Sequence, residues 1–230
     1  MSAPVRLHLW RLDPGPRDVA RLAAHLDPAE AARAARFVRP SDRDAYRVGR
    51  GRLREVLARW CGCAPEALHF EAGAAGKPSL ACGPQFNLSH SGGLACLAVH
   101  PDRPLGVDIE APRPVERAVA ERFFSAAEQA ELAALPTALW QAGFLSAWTR
   151  KEAVVKALGL GMGAPLDRFD VTLTPEAPAR VTRCEIGPPG PWSLTHLHLP
   201  GGMVGALAHR GGPLPVEVAE APESHACHPR

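Results

Sequence analysis

The chain has 230 residues, 46% of them hydrophobic and 22% charged, with a formal net charge of +2. This is ordinary globular composition, and so small a charge excludes nucleic acid or a membrane as a partner drawn in by bulk electrostatics. A chain of this length buries roughly 70–75% of its unfolded surface, so its core needs neither a disulfide nor a structural metal.

Six cysteines, Cys61, Cys63, Cys82, Cys96, Cys184 and Cys227, are scattered without a C-x-x-C pair, and the residues after Met1 do not form a charged-then-apolar leader. Free thiols in a reducing cytoplasm are the expectation. Residues 132–149 carry no charge, but Pro136 and Gly143 interrupt them and Arg150-Lys151-Glu152 follows at once. A helix starting after Pro136 is too short to span a bilayer and reads as a buried core helix.

Residues 5–9 alternate with period two and predict a strand. Residues 28–37 are Ala-rich and helical, with Arg33 and Arg36 on the surface. Ser41, three residues before Asp44, predicts a capping box for a helix reaching about Trp60, with Leu53, Val56, Leu57 and Trp60 as its apolar stripe. Gly49 and Gly51 fall inside that helix, so this G-x-G lacks the preceding strand and third glycine of a dinucleotide loop. Residues 94–99 and 105–110 flank Pro101-Asp102-Arg103-Pro104 and predict an antiparallel hairpin, with Pro112 and Pro114 marking a boundary after it.

The second half opens with a helix over 115–123. Ser125 and Glu128 predict a capping box for a short helix to Leu135, and the longest helix runs over 137–158 to a stop at Gly159. Trp140, Phe144, Trp148, Val155 and Leu158 lie near one face of it. Four strand-like stretches follow, at 169–174, 180–186, 192–199 and 203–209. The Pro- and Glu-rich tail from Gly211 is expected to fray. The stretch 92–100 echoes 201–209, about half a chain away, so the pattern reads as two related α+β units: 1–112, 113–212, and a flexible tail at 213–230.

Three features carry chemistry. Asp108 and Glu110 flank Ile109 at the end of a predicted strand, so both carboxylates share one face while Ile109 points inward. Glu152 and Lys156 are four apart on the long helix and share a face. Asn87-Leu88-Ser89-His90-Ser91 is a polar run between extended segments. Taken singly, an i,i+4 Glu–Lys pair is worth only about 0.3–0.5 kcal/mol and two acids on a strand can be a solvated face. Together they suggest clustered carboxylates, whose mutual repulsion a divalent cation would reverse, and hard oxygen ligands suit magnesium. A metal-dependent nuclease also combines acids with a lysine, although such sites commonly place E-x-K on a strand. A module that only binds an anionic ligand, without catalysis, would not need three acids. The pairs His196/His198 and His225/His228, with Cys227, read as a surface strand and a loose tail.

Gly76-Lys77-Pro78, Phe86-Asn87-Leu88-Ser89-His90-Ser91-Gly92, Gly106-Val107-Asp108-Ile109-Glu110, Arg122-Phe123-Phe124-Ser125 and Trp148-Thr149-Arg150-Lys151-Glu152 through Lys156 resemble, in order, the motifs of the Sfp-type 4′-phosphopantetheinyl transferases. The resemblance implies two similar α+β halves, each with a small antiparallel sheet and a long helix, and an active site in the cleft between them. It implies transfer of the 4′-phosphopantetheine group from coenzyme A to a serine of an apo acyl or peptidyl carrier protein, with release of 3′,5′-ADP. Asp108, Glu110 and Glu152 would hold Mg²⁺ against the pyrophosphate. Lys156 would contact that pyrophosphate, and Lys77, Ser89 and His90 would hold the 3′-phosphate end of the nucleotide. Arg47 would be a further phosphate contact, with Arg33 and Arg36 as weaker candidates, while Glu30 stands where some members carry a basic residue. Glu152 is the expected base, directly or through a water, with Asp108 and Lys156 completing the catalytic set. The expected protein is a cytoplasmic monomer. Fatty-acid, polyketide and nonribosomal-peptide carriers all remain open as acceptors, docking on an apolar patch that includes Phe124.

Overall fold

A computed structural model describes residues 2–73, 75–174 and 176–219. The elements run in the order β1 (Val5–Arg11), α1 (Pro16–Ala23), α2 (Pro28–Ala35), α3 (Pro40–Cys61), β2 (Phe70–Ala72), β3 (Pro78–Leu80), β4 (Gln85–Ser91), β5 (Leu94–His100) and β6 (Leu105–Glu110). There follow α4 (Arg117–Phe123), α5 (Ala126–Ala134), α6 (Thr137–Leu158), β7 (Phe169–Val171), β8 (Val181–Cys184), β9 (Trp192–His198), β10 (Val204–Arg210) and β11 (Val216–Ala219).

Two sheets form the centre, one ordered β11-β1-β5-β4 and the other β6-β10-β9. Their pairings are antiparallel except for β1 with β11. Strand alternation sorts the residues into layers. Leu53, Val56 and Leu57 of α3 bury against Phe86, Leu97 and Val99 of the first sheet. Phe144, Val154 and Val155 of α6 bury with Ala206 and Ala208 of the second. Between the sheets lie Val5, Leu7, Cys96, Val107, Ile109 and Leu207. The α+β expectation therefore holds as helix, sheet, sheet, helix.

The echo between the halves has a structural counterpart. Both β5 and β10 are central strands of their sheets, each preceded by two glycines of positive φ, Gly92-Gly93 and Gly201-Gly202. Each half also carries a 22-residue helix ending at a left-handed glycine, Gly62 (φ 65°) after α3 and Gly159 (φ 68°) after α6. A side chain there would be strained, which makes glycine the natural stop.

Several expectations are corrected. Residues 94–99 and 105–110 do not form a hairpin: β5 pairs with β1 and β4, whereas β6 pairs with β10 in the other sheet. His100 Nδ1 accepts from Arg103 N at 2.9 Å in the intervening turn, and Pro101 and Pro104 have no N–H to give a ladder. Ser41 is not a cap, because Arg39 occupies that position and Pro40 opens the helix. The Ser125–Glu128 box forms with both of its hydrogen bonds. Trp60 is 37% exposed rather than part of the core stripe, and Phe124 is buried, packed on Phe144 with ring centroids 5.2 Å apart. Phe124 therefore offers no docking surface. Rather than fraying at Gly211, the chain continues to β11 alongside β1; the residues from Glu220 on, including the His225, Cys227 and His228 cluster, lie outside the described residues. Among the described residues no helix is long and apolar enough to cross a membrane.

Candidate active site

Strand β6 and helix α6 build the site together. Asp108 and Glu110 sit on the α6 side of β6, and Ile109, between them, is buried in the inter-sheet core. Close approach of α6 depends on Gly106. A Cβ at that position would lie 2.1 Å from Ala153 O and 2.3 Å from Ala157 N. With glycine there, Glu152 and Lys156 descend onto the strand, and Lys156 Nζ donates to Asp108 Oδ1 at 2.5 Å and to Ser89 Oγ at 3.2 Å.

The carboxylates sense one another. Burial, and then the Asp108 charge, raises the Glu152 carboxyl above its ordinary range. Burial raises Asp108 as well, against the opposing pull of Lys156. Asp108 Oδ2 is buried without a hydrogen-bond partner, and no hydrogen bond or ion pair ties the Glu152 carboxylate among the described residues. Three acids with an orphaned buried oxygen suit a hard divalent cation. Among the described residues no group of three such side chains is already gathered to hold a metal ion.

Strand β4 holds this arrangement through its side chains. Asn87 Oδ1 accepts from Val107 N at 2.8 Å, Ser89 Oγ from Ile109 N at 3.2 Å, and Ser91 Oγ from Ala111 N at 3.0 Å. These three bonds satisfy alternate amides on the edge of β6 not paired to β10. Ser89 and Ser91 then donate their hydroxyl protons to Asp108 Oδ1 at 2.9 Å and Glu110 Oε2 at 2.8 Å. The sequence reading missed this ladder. Its signal was the alternation of Asn87, Ser89 and Ser91 against Phe86 and Leu88, repeated at constant spacing in Val107, Ile109 and Ala111.

The expected nucleotide contacts are more dispersed. Ser89 uses its single donor on Asp108 and both lone pairs on Ile109 N and Lys156, so binding a phosphate would require an exchange of partners. His90 is exposed and lies on the face of β4 opposite Ser89. Lys77 Nζ donates to Leu105 O at 2.8 Å and Lys156 O at 2.7 Å, and burial lowers its pKa to about 8. An ammonium has three protons, so one remains for a ligand. Lys77 lines a cavity of about 360 Å³ together with Gly73, Pro78, Phe86, Leu158 and Gly159. Arg47 pairs with Asp44 at 3.1 Å, and Arg33 stacks over Tyr46. Glu30 has a structural use: it caps α2 and binds Arg50 and the fully buried Arg54.

Lys151, beside Glu152 in the motif, faces away from the site. It is fully buried, donates to Glu128 at 2.7 Å, and lies 4.3 Å from the centre of the Phe169 ring. Glu128 also accepts from Val171 N, so the pair fastens α6 to α5 and β7. His196 and His198 share a face of β9 as expected, with ring centroids 4.9 Å apart.

Comparison with known proteins shows the family. Residues 104–210 match the model of the 4′-phosphopantetheinyl transferase superfamily, and residues 9–102 match a 4′-phosphopantetheinyl transferase N-terminal model. The two matches meet in the turn between β5 and β6. The 4′-phosphopantetheinyl transferase HetI of a Nostoc species is 39% identical over 214 residues, covering 89% of this chain and 88% of that protein. The transferase Sfp of Bacillus subtilis is 31% identical over 155 residues, covering 66% and 69% respectively. A Thermotoga maritima holo-[acyl-carrier-protein] synthase overlaps 46% of this chain and 62% of its own, with a TM-score of 0.38 and 20% identity. The near full-length match to HetI, joined to the two consecutive model matches, means that the chain belongs to the 4′-phosphopantetheinyl transferase superfamily.

Proposed function

We propose that this enzyme transfers the 4′-phosphopantetheine group of coenzyme A to a serine of an apo carrier protein by means of the Asp108, Glu110, Glu152 and Lys156 cluster. The observation carrying the residue assignment is the descent of α6 onto β6, which sets Glu152 and Lys156 against Asp108.

The serine oxygen attacks the β-phosphorus of coenzyme A, the bond from that phosphorus to the bridging oxygen breaks, and 3′,5′-ADP leaves. Mg²⁺, held by Asp108, Glu110 and Glu152, would neutralise and orient the pyrophosphate for in-line displacement. Lys156 turns from Asp108 to the leaving phosphate as a mobile point cation. Glu152 takes the serine proton, directly or through a water. Lys77, His90 and Arg47 serve the nucleotide end, and Ser89 supports Asp108 and Lys156 before any phosphate contact. One chain supplies the entire cluster, which favours action as a monomer.

The test is intact-protein mass spectrometry of a panel of apo carrier domains mixed with enzyme, coenzyme A and magnesium. A gain of one phosphopantetheine on a carrier, lost with EDTA or with Asp108→Ala, supports the assignment and identifies the carrier class. Transfer that survives both treatments would remove the metal and Asp108 from it.

A further inference from the structure

We infer that Ser91 is a positioning residue that presets Glu110 for the divalent cation; this rests on the reading that the three carboxylates hold such an ion. The geometry leaves the Ser91 hydroxyl no choice of direction. Ala111 N donates to its oxygen at 3.0 Å, and a carboxylate can only accept, so the hydroxyl proton points to Glu110 Oε2 at 2.8 Å. Arg113 stands 3.8 Å from the same oxygen and is itself half exposed. Ser91 is thus the one group holding Glu110 in this orientation at hydrogen-bond distance among the described residues.

The serine is itself fixed from behind. Gly92 follows it at φ 54°, and the position of its missing Cβ lies 2.7 Å from Ala111 Cβ. The turn is therefore pressed onto the residue whose amide orients Ser91. Ser89 repeats the same construction two residues earlier, with Ile109 N behind it and Asp108 before it. Successive serines on one strand face thus each orient one successive carboxylate of β6. Hydrogen-bond partners of metal-ligating carboxylates typically change metal affinity or activity by 10–100-fold when removed.

The experiment is Mn²⁺ binding to the purified full chain without coenzyme A, read by the loss of free-ion electron paramagnetic resonance signal. Thermal melts in EDTA are recorded in parallel. Ser91→Ala should weaken Mn²⁺ binding about 10–100-fold. Ser91→Thr, which keeps the hydroxyl, should remain near wild type. Ser91→Cys keeps the volume with a poor donor, and should follow Ala in binding while melting close to wild type. If Ser91→Ala does not fold, Ser91→Cys decides alone. Wild-type affinity in a folded Ser91→Ala or Ser91→Cys protein would overturn the inference and leave Ser91 as a seal on the strand edge. Failure of the wild type to bind Mn²⁺, or binding undiminished by Asp108→Ala, would overturn the metal reading itself.

Discussion

Gly106 and Ala153 set the spacing of the active site: a single methyl on Gly106 would stand 2.1 Å from Ala153 O. That atom is helix backbone, so the clash cannot be relieved by a rotamer change. Gly106→Ala should push α6 from β6, cost at least about 1–3 kcal/mol as an overpacking change, and lower melting by at least about 2–4 °C per kcal/mol. Transfer activity should fall further than stability, because Glu152 and Lys156 move away from Asp108. Melting and transfer rate measured together check this, and a fully active variant would disprove the spacing argument.

Glu152→Gln should abolish transfer yet stabilise the metal-free protein. Both Asp108 and Glu152 have raised folded-state pKa values. Their contribution to stability is therefore full below their unfolded pKa and declines as pH rises through the folded value. At neutral pH the metal-free protein carries the cost of burying the Glu152 charge and, after it, the repulsion from Asp108. Removing the Glu152 charge should gain at most about 1 kcal/mol after allowance for solvent screening, or about 2–4 °C in Tm. The gain should disappear at low pH and in saturating magnesium. Melts in EDTA across pH read it directly; a Gln variant less stable at every pH would contradict it.

Lys77 should impose the opposite slope in the alkaline range. Its folded-state pKa is lowered to about 8 by burial, while an unfolded lysine titrates near its ordinary value of 10.5. Between these values the unfolded chain binds more protons, so stability should rise with pH across that window, by at most about 3 kcal/mol. Lys77→Met should flatten the rise. Denaturant melts at intervals between pH 8 and 10.5, wild type against variant, isolate this contribution.

The parts of the molecule written in local chemistry could be read from the sequence. Pro136 and Gly159 bracket α6 at its observed limits, and period-two spacing put Asp108 and Glu110 on one face with Ile109 behind them. The partner of β6 could not be read, because its amides bond to β10 nearly a hundred residues later and no local signal favours that strand over the adjacent β5. Ser91 was hidden by a shorter separation, 19 residues from Glu110 and 20 from Ala111, because its role appears only when strand β4 is laid beside β6. Lys151 stands next to Glu152 in the motif. The helical step from Glu152 turns it into the core, toward Glu128.

That burial makes Lys151 the sharper test of structure against chemistry. Both partners are almost inaccessible, at 0% and 2% of side-chain surface, and desolvation lowers the Lys151 pKa despite the Glu128 charge. Lys151→Met should cost about 3–5 kcal/mol, since Glu128 is left charged and buried alone. Adding Glu128→Gln removes that orphaned charge while keeping an acceptor for Val171 N, so the double variant should recover much of the loss. Its transfer activity should recover in step with its stability, because neither side chain reaches the Asp108–Lys156 cluster. Denaturant midpoints and transfer rates of the two single variants and the double variant complete the cycle. A double variant as stable as wild type but inactive would place Lys151 in the reaction itself.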